Sequence, residues 1–80
     1  MTAIETIKEL YTLKDDLVRD AAAVTTLSAD NEGILIALCS WAAHRSGEDM
    51  EKVLQEVKQL VAAERLNLPV LREILEAGKG

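Results

Sequence analysis

Ile34-Leu35-Ile36-Ala37-Leu38-Cys39-Ser40-Trp41-Ala42-Ala43 is the stretch that decides the fold. Nine of its ten residues are apolar, and Ser40 alone interrupts them. Ala and Leu outnumber the β-branched residues and no partner strand is visible, so the run reads as a helix rather than a buried strand. A helix that is apolar all round has no solvent face and must be covered on nearly every side. A chain of 80 residues has few other elements to do the covering. That tension points to an obligate partner or a self-association surface.

The flanks of this run carry helix signals. Ser28 is a good N-cap, and Asp30 and Glu32 favour the positive end of the helix dipole. His44 and Arg45 suit the last turn, and Gly47 follows as the residue that can turn left-handed. Before the run, Thr2 and Glu5 read as a capping box opening a helix over about Ala3 to Ala23. Ile4, Ile7, Tyr11, Val18 and Ala21 recur at helical spacing, with Leu10, Leu13 and Leu17 as a shoulder beside them. The combined apolar arc spans roughly half the helix, wider than one neighbour requires. Lys14 falls inside it, where its stem can lie on apolar surface with the ammonium in water, or meet a partner's carboxylate.

After the run, Ser46 and Asp49 resemble a second cap arrangement. Met50, Val53, Leu54, Val57, Leu60 and Val61 form a narrow stripe on a third helix that ends near Arg65 or Leu66. Asn67 can cap and Pro69 suits a first turn, so a short fourth helix follows, with Leu71, Ile74 and Leu75 inward and Gly78 ending it. The expectation is an all-α fold: one domain over residues 1–80, with three main helices and a short C-terminal fourth. The second helix is central, with the first and third packed across it. Trp41 and its large neighbours lie on one side. Ile36, Cys39, Ser40 and Ala43 lie on a smaller side that lets another helix approach.

Composition agrees. The chain is 49% hydrophobic, which excludes disorder, and Gly and Pro are few, with 4 and 1 residues. The net charge of −5 is spread, with −2, −1, −2 and 0 over residues 1–24, 25–46, 47–66 and 67–80. No basic patch exists, which disfavours a nucleic-acid surface. The N-terminus lacks the pattern of a signal peptide, and the apolar run is shorter than the roughly 20 residues a membrane span needs. A cytoplasmic protein is expected, and the lone Cys39 suits a reducing compartment.

Few residues suggest chemistry. Cys39 and His44 are five apart, about 140° off a common helix face, so they do not read as nucleophile and base. Two ligands are too few for a zinc site, and no metal or cofactor is expected. The carboxylates at Asp15, Asp16 and Asp20 and at Glu48, Asp49 and Glu51 lack the spacing of a calcium loop. The segment 61–78 bears a weak likeness to a helix-turn-helix, but Arg72 is its one basic contact, with Glu73 and Glu76 beside it.

The functional expectation is therefore a small acidic, non-enzymatic adaptor, regulator or inhibitor. It acts through an apolar helical surface, as a homodimer or in a complex with another protein. Leu10, Leu13, Lys14 and Leu17 are the candidate interaction residues. Two alternatives stand beside it: a small transcriptional regulator working through residues 61–78, and an acidic decoy for a nucleic-acid-binding protein.

Overall fold

The structure is a computed structural model that describes residues 2–25 and 30–79. Among the described residues all regular structure is helical: α1 (Ala3–Glu9), a 3₁₀ turn (Leu10–Thr12), α2 (Asp15–Val24), α3 (Asn31–Ser46), α4 (Met50–Ala62) and α5 (Leu68–Lys79). The chain is all-α, with α3 at its centre. α3 packs on α1 and α4 and also touches α2 and α5, while α5 lies along α2.

The capping box forms as expected at α1. The Glu5 N–H donates to Thr2 Oγ1 at 3.1 Å, and the Thr2 N–H donates to Glu5 Oε1 at 3.0 Å. A long-range cap joins it. The Ala3 N–H donates to Glu48 Oε2, which also accepts from Ser46 Oγ, so the connection after α3 holds the start of α1.

The single helix expected over Ala3–Ala23 is broken. The chain tightens to 3₁₀ geometry at Leu10, turns left-handed at Leu13 (φ 57°) and restarts at α2 with Lys14 as an extended N-cap residue. An α-helical wheel cannot be extended through such a break, because a 3₁₀ turn advances three residues per turn. Leu10, read from that wheel as a shoulder residue, is instead fully buried, and Tyr11, read as the stripe's centre, is 37% exposed. Tyr11 reaches across to the start of α5, where its hydroxyl accepts the Asn67 N–H at 3.0 Å.

The expected cap Ser28 lies outside the described residues, as do Thr26 and Leu27. Asp30 caps α3, its Oδ1 accepting from the Gly33 N–H at 2.8 Å. Gly47 ends α3 in the left-handed conformation, at φ 71°. Ser46 does not cap the next helix. It is the last residue of α3, and its hydroxyl donates back to the Ala42 carbonyl at 2.8 Å. α4 ends at Ala62, earlier than the expected Arg65 or Leu66, because Glu64 turns left-handed (φ 59°) and the Arg65 N–H bonds back to the Leu60 carbonyl.

Asn67 caps α5, its Oδ1 accepting from the Val70 N–H at 3.1 Å, with Pro69 in the first turn. Gly78 does not stop α5, which runs on through Lys79. Its role is close packing. A Cβ at Gly78 would lie 2.4 Å from Val18 Cγ1, so only glycine lets α5 lie this near α2. The core under these helices contains Ile7, Leu10, Ile34, Leu38, Val57, Leu71 and Leu75, with Trp41 at its edge.

Candidate functional site

The four sequence-derived candidates do not form one surface. Leu10 is in the core. Lys14 and Leu17 line an open groove with Glu9, Asp15, Asp16, Asp20 and Arg45. Leu13 lies on the other side of Asp15, in a groove with Val18, Ile74, Ala77 and Gly78. The Lys14 side chain is largely exposed and its Nζ pairs with Glu9 Oε2 at 3.1 Å.

Leu13 is the unusual residue. A left-handed backbone costs a residue with a Cβ about 1–2 kcal/mol. The residue is also 62% exposed, the highest value among the large hydrophobic residues described. Glycine would relieve the first cost and a polar residue the second. Glu64, the other non-glycine residue at positive φ among the described residues, places a charged side chain in water and carries only the backbone cost.

Leu13 is not isolated. Val70, Ile74 and Ala77 recur at i, i+4 and i+7 on α5, and such positions share a helix face. Val70 is 37% exposed, Ala77 is exposed and Ile74 half-buried. The Leu13 groove holds Ile74 and Ala77, and Tyr11 meets α5 at Asn67. Leu13, Ile74 and Ala77 thus share one groove, and Tyr11 and Val70, both bonded to Asn67, extend this apolar ridge to the start of α5. Sequence reading placed Ile74 inward with Leu71 and Leu75 and did not single out Val70 and Ala77. The i, i+4, i+7 recurrence of Val70, Ile74 and Ala77 was the available signal.

A second uncovered strip runs along α3. Ile36 is 43% exposed, and Ser40 and His44 are exposed with it, while Cys39 and Ala43 of the expected small side are buried. Ala37, Ser40 and His44 share a groove with Asp20, Val24, Trp41 and Arg45. Ser40, His44 and Asp20 therefore meet in one groove, a grouping the sequence did not suggest. Their geometry is not that of a hydrolytic triad. Asp20 Oδ2 accepts from Trp41 Nε1 at 2.9 Å and from Arg45 at 2.8 Å, and no hydrogen bond joins Ser40 to His44 among the described residues. The Arg45 guanidinium also sits 5.8 Å from the Trp41 ring centroid, a cation–π distance.

Cys39 is fully buried, and burial raises its thiol from 9.0 to about 11 against a smaller lowering by Lys58. A thiol so placed is a core side chain rather than a nucleophile at neutral pH. Among the described residues no three His, Cys, Asp or Glu side chains are grouped to hold a metal ion. No helix among them is long and apolar enough to cross a membrane. In the segment 61–78, Arg72 Nε pairs with Glu76 at 3.2 Å.

No protein-family model, curated protein or solved structure matches this chain in comparison.

Proposed function

We propose that this chain is a non-enzymatic interaction protein, an adaptor, regulator or inhibitor that binds another protein through the ridge of Tyr11, Leu13, Val70, Ile74 and Ala77. The observation that carries this reading is Leu13. It holds a disfavoured backbone conformation and exposes a large apolar side chain. Strained positions that persist often serve a site rather than stability. An exposed apolar ridge on a small protein is the ordinary mark of a contact surface. The ridge lies where the sequence placed Leu13, but it extends to α5 rather than toward Lys14 and Leu17.

The α3 strip is the weaker candidate, because its backbone carries no such conflict. A DNA contact through α5 has less support still. Arg72 is engaged with Glu76, and Glu73 lies on the helix's exposed side.

The test is a pair of baits. Wild-type protein and Leu13→Gly, both shown to be folded by circular dichroism, are used for affinity capture from the native cell. A protein retained by the wild type and lost by Leu13→Gly is the expected result. Equal retention by both baits would move the contact off the ridge.

A further inference from the structure

We infer that the ridge receives an amphipathic helix whose apolar edge is flanked by lysine or arginine. This rests on the reading of the ridge as a contact surface and adds the chemistry of what covers it.

Asp15 lines the ridge's groove and also the neighbouring one, where Asp16, Glu9 and Asp20 join it. The two cations of that neighbouring groove are already engaged, Lys14 with Glu9 and Arg45 with Asp20. On the other side, Glu73 is exposed and lies on α5 three and four residues from Val70 and Ala77, so it borders the ridge. Arg72, the basic residue beside it in sequence, pairs with Glu76. The groove beside Leu13 is therefore lined by one carboxylate, Asp15, and no cation, and Glu73 runs along the other side of the ridge. Complementary charge across an interface steers encounter and rejects wrong partners, and here it selects a basic flank.

The shape fits a single helix. The i, i+4, i+7 spacing on α5 beside Tyr11 and Leu13 offers a shallow line of apolar positions, the usual seat for a helix edge. A second copy of this chain fits poorly. A stable dimer buries roughly 800 Å² per partner, which five partly exposed side chains do not supply. A second copy with net charge −5 would also bring like charge to an acidic rim.

The experiment uses two synthetic probes of about 18 residues, long enough to hold a helix. Both carry leucine and alanine along one edge. One has lysine on its flanks and the other glutamate. Each is titrated into the isotope-labelled protein and followed by backbone amide resonances, with sedimentation of the protein alone as control. The lysine probe should move Tyr11, Leu13, Val70, Ile74 and Ala77, and the glutamate probe should not. Asp15→Asn with Glu73→Gln should weaken the lysine probe about fivefold, as expected for two exposed rim charges. Leu13→Gly should weaken it about tenfold.

If both probes bind the ridge equally, the inference about charge fails while the ridge stands as a contact surface. If neither moves the ridge, or the shifts gather at residues 33–44, both fail. A concentration-dependent dimer abolished by Leu13→Gly would assign the ridge to a second copy and overturn the inference.

Discussion

Trp41 Nε1 donates to Oδ2 of Asp20 across 2.9 Å, joining the largest side chain of the core edge to the exposed side of α2. The indole body is buried, and its one polar atom is satisfied by a carboxylate that Arg45 also holds at 2.8 Å. This is how an aromatic residue with a polar tip is usually accommodated at a core boundary. The arrangement also ties the middle of α2 to α3.

Asp20→Ala should therefore destabilise the fold by about 1–3 kcal/mol, because it leaves a nearly buried indole N–H without a partner. The exposed Arg45 pair by itself should matter little, so Arg45→Ala should cost less than about 1 kcal/mol. Trp41→Ala should cost about 3–5 kcal/mol, close to all the stability such a small core supplies. Urea unfolding of the three variants checks the order.

Leu10 and Leu13 are three residues apart and should behave oppositely. Leu10→Ala removes a fully buried side chain and should cost about 2–5 kcal/mol. Leu13→Gly relieves the left-handed backbone while losing a partly covered side chain and adding chain entropy. These terms nearly cancel, so its stability should stay within about 1 kcal/mol of wild type. In a domain of this size that is a shift of a few degrees in melting temperature. A loss as large as that of Leu10→Ala would mean Leu13 serves the core.

This pair also marks where sequence reading stops. The central helix was legible because ten nearly unbroken apolar residues admit few other readings and Gly47 supplies its left-handed end. The last helix was legible from Asn67 and Pro69. The break at residues 10–14 was not, because Leu10-Tyr11-Thr12-Leu13 contains no glycine or proline. Tertiary contacts make that break, with Leu10 drawn into the core and Tyr11 held by Asn67. The one local hint was Asp15 and Asp16, two carboxylates that suit the first turn of a new helix. Leu13 could be picked out as excess apolar surface. Its ridge could not, since Val70 and Ala77 are distant in sequence and join it only when α5 lies along α2.

Gly78→Ala should be destabilising although alanine is the better helix former. The new methyl would meet Val18 Cγ1 at 2.4 Å, with the Val18 carbonyl oxygen at 3.4 Å. Overpacking of this kind costs typically 1–3 kcal/mol, against a helix gain of up to about 1 kcal/mol. A net loss of about 1–2 kcal/mol is expected. Adding Val18→Ala should recover part of it, so that the double variant loses less than the sum of the two singles.

Cys39 should resist alkylation in the native protein at pH 8 and react once the chain is unfolded. Its folded value of about 11 lies above the 9.0 of a free thiol, so the folded state favours the neutral form. That contribution to stability is complete below pH 9 and is lost as pH rises toward and through about 11. Cys39→Ala should flatten this part of the stability profile. An unchanged decline in the variant would place its origin elsewhere.

Photo-crosslinking in the native cell tests the central claim most directly. A photoreactive amino acid is placed singly at Leu13, at Val70 and at Ile36, and the protein is irradiated where it normally works. The account predicts a crosslinked species of the same partner from positions 13 and 70 and none from position 36. Crosslinks from position 36 alone would put the contact on the α3 strip and contradict the account.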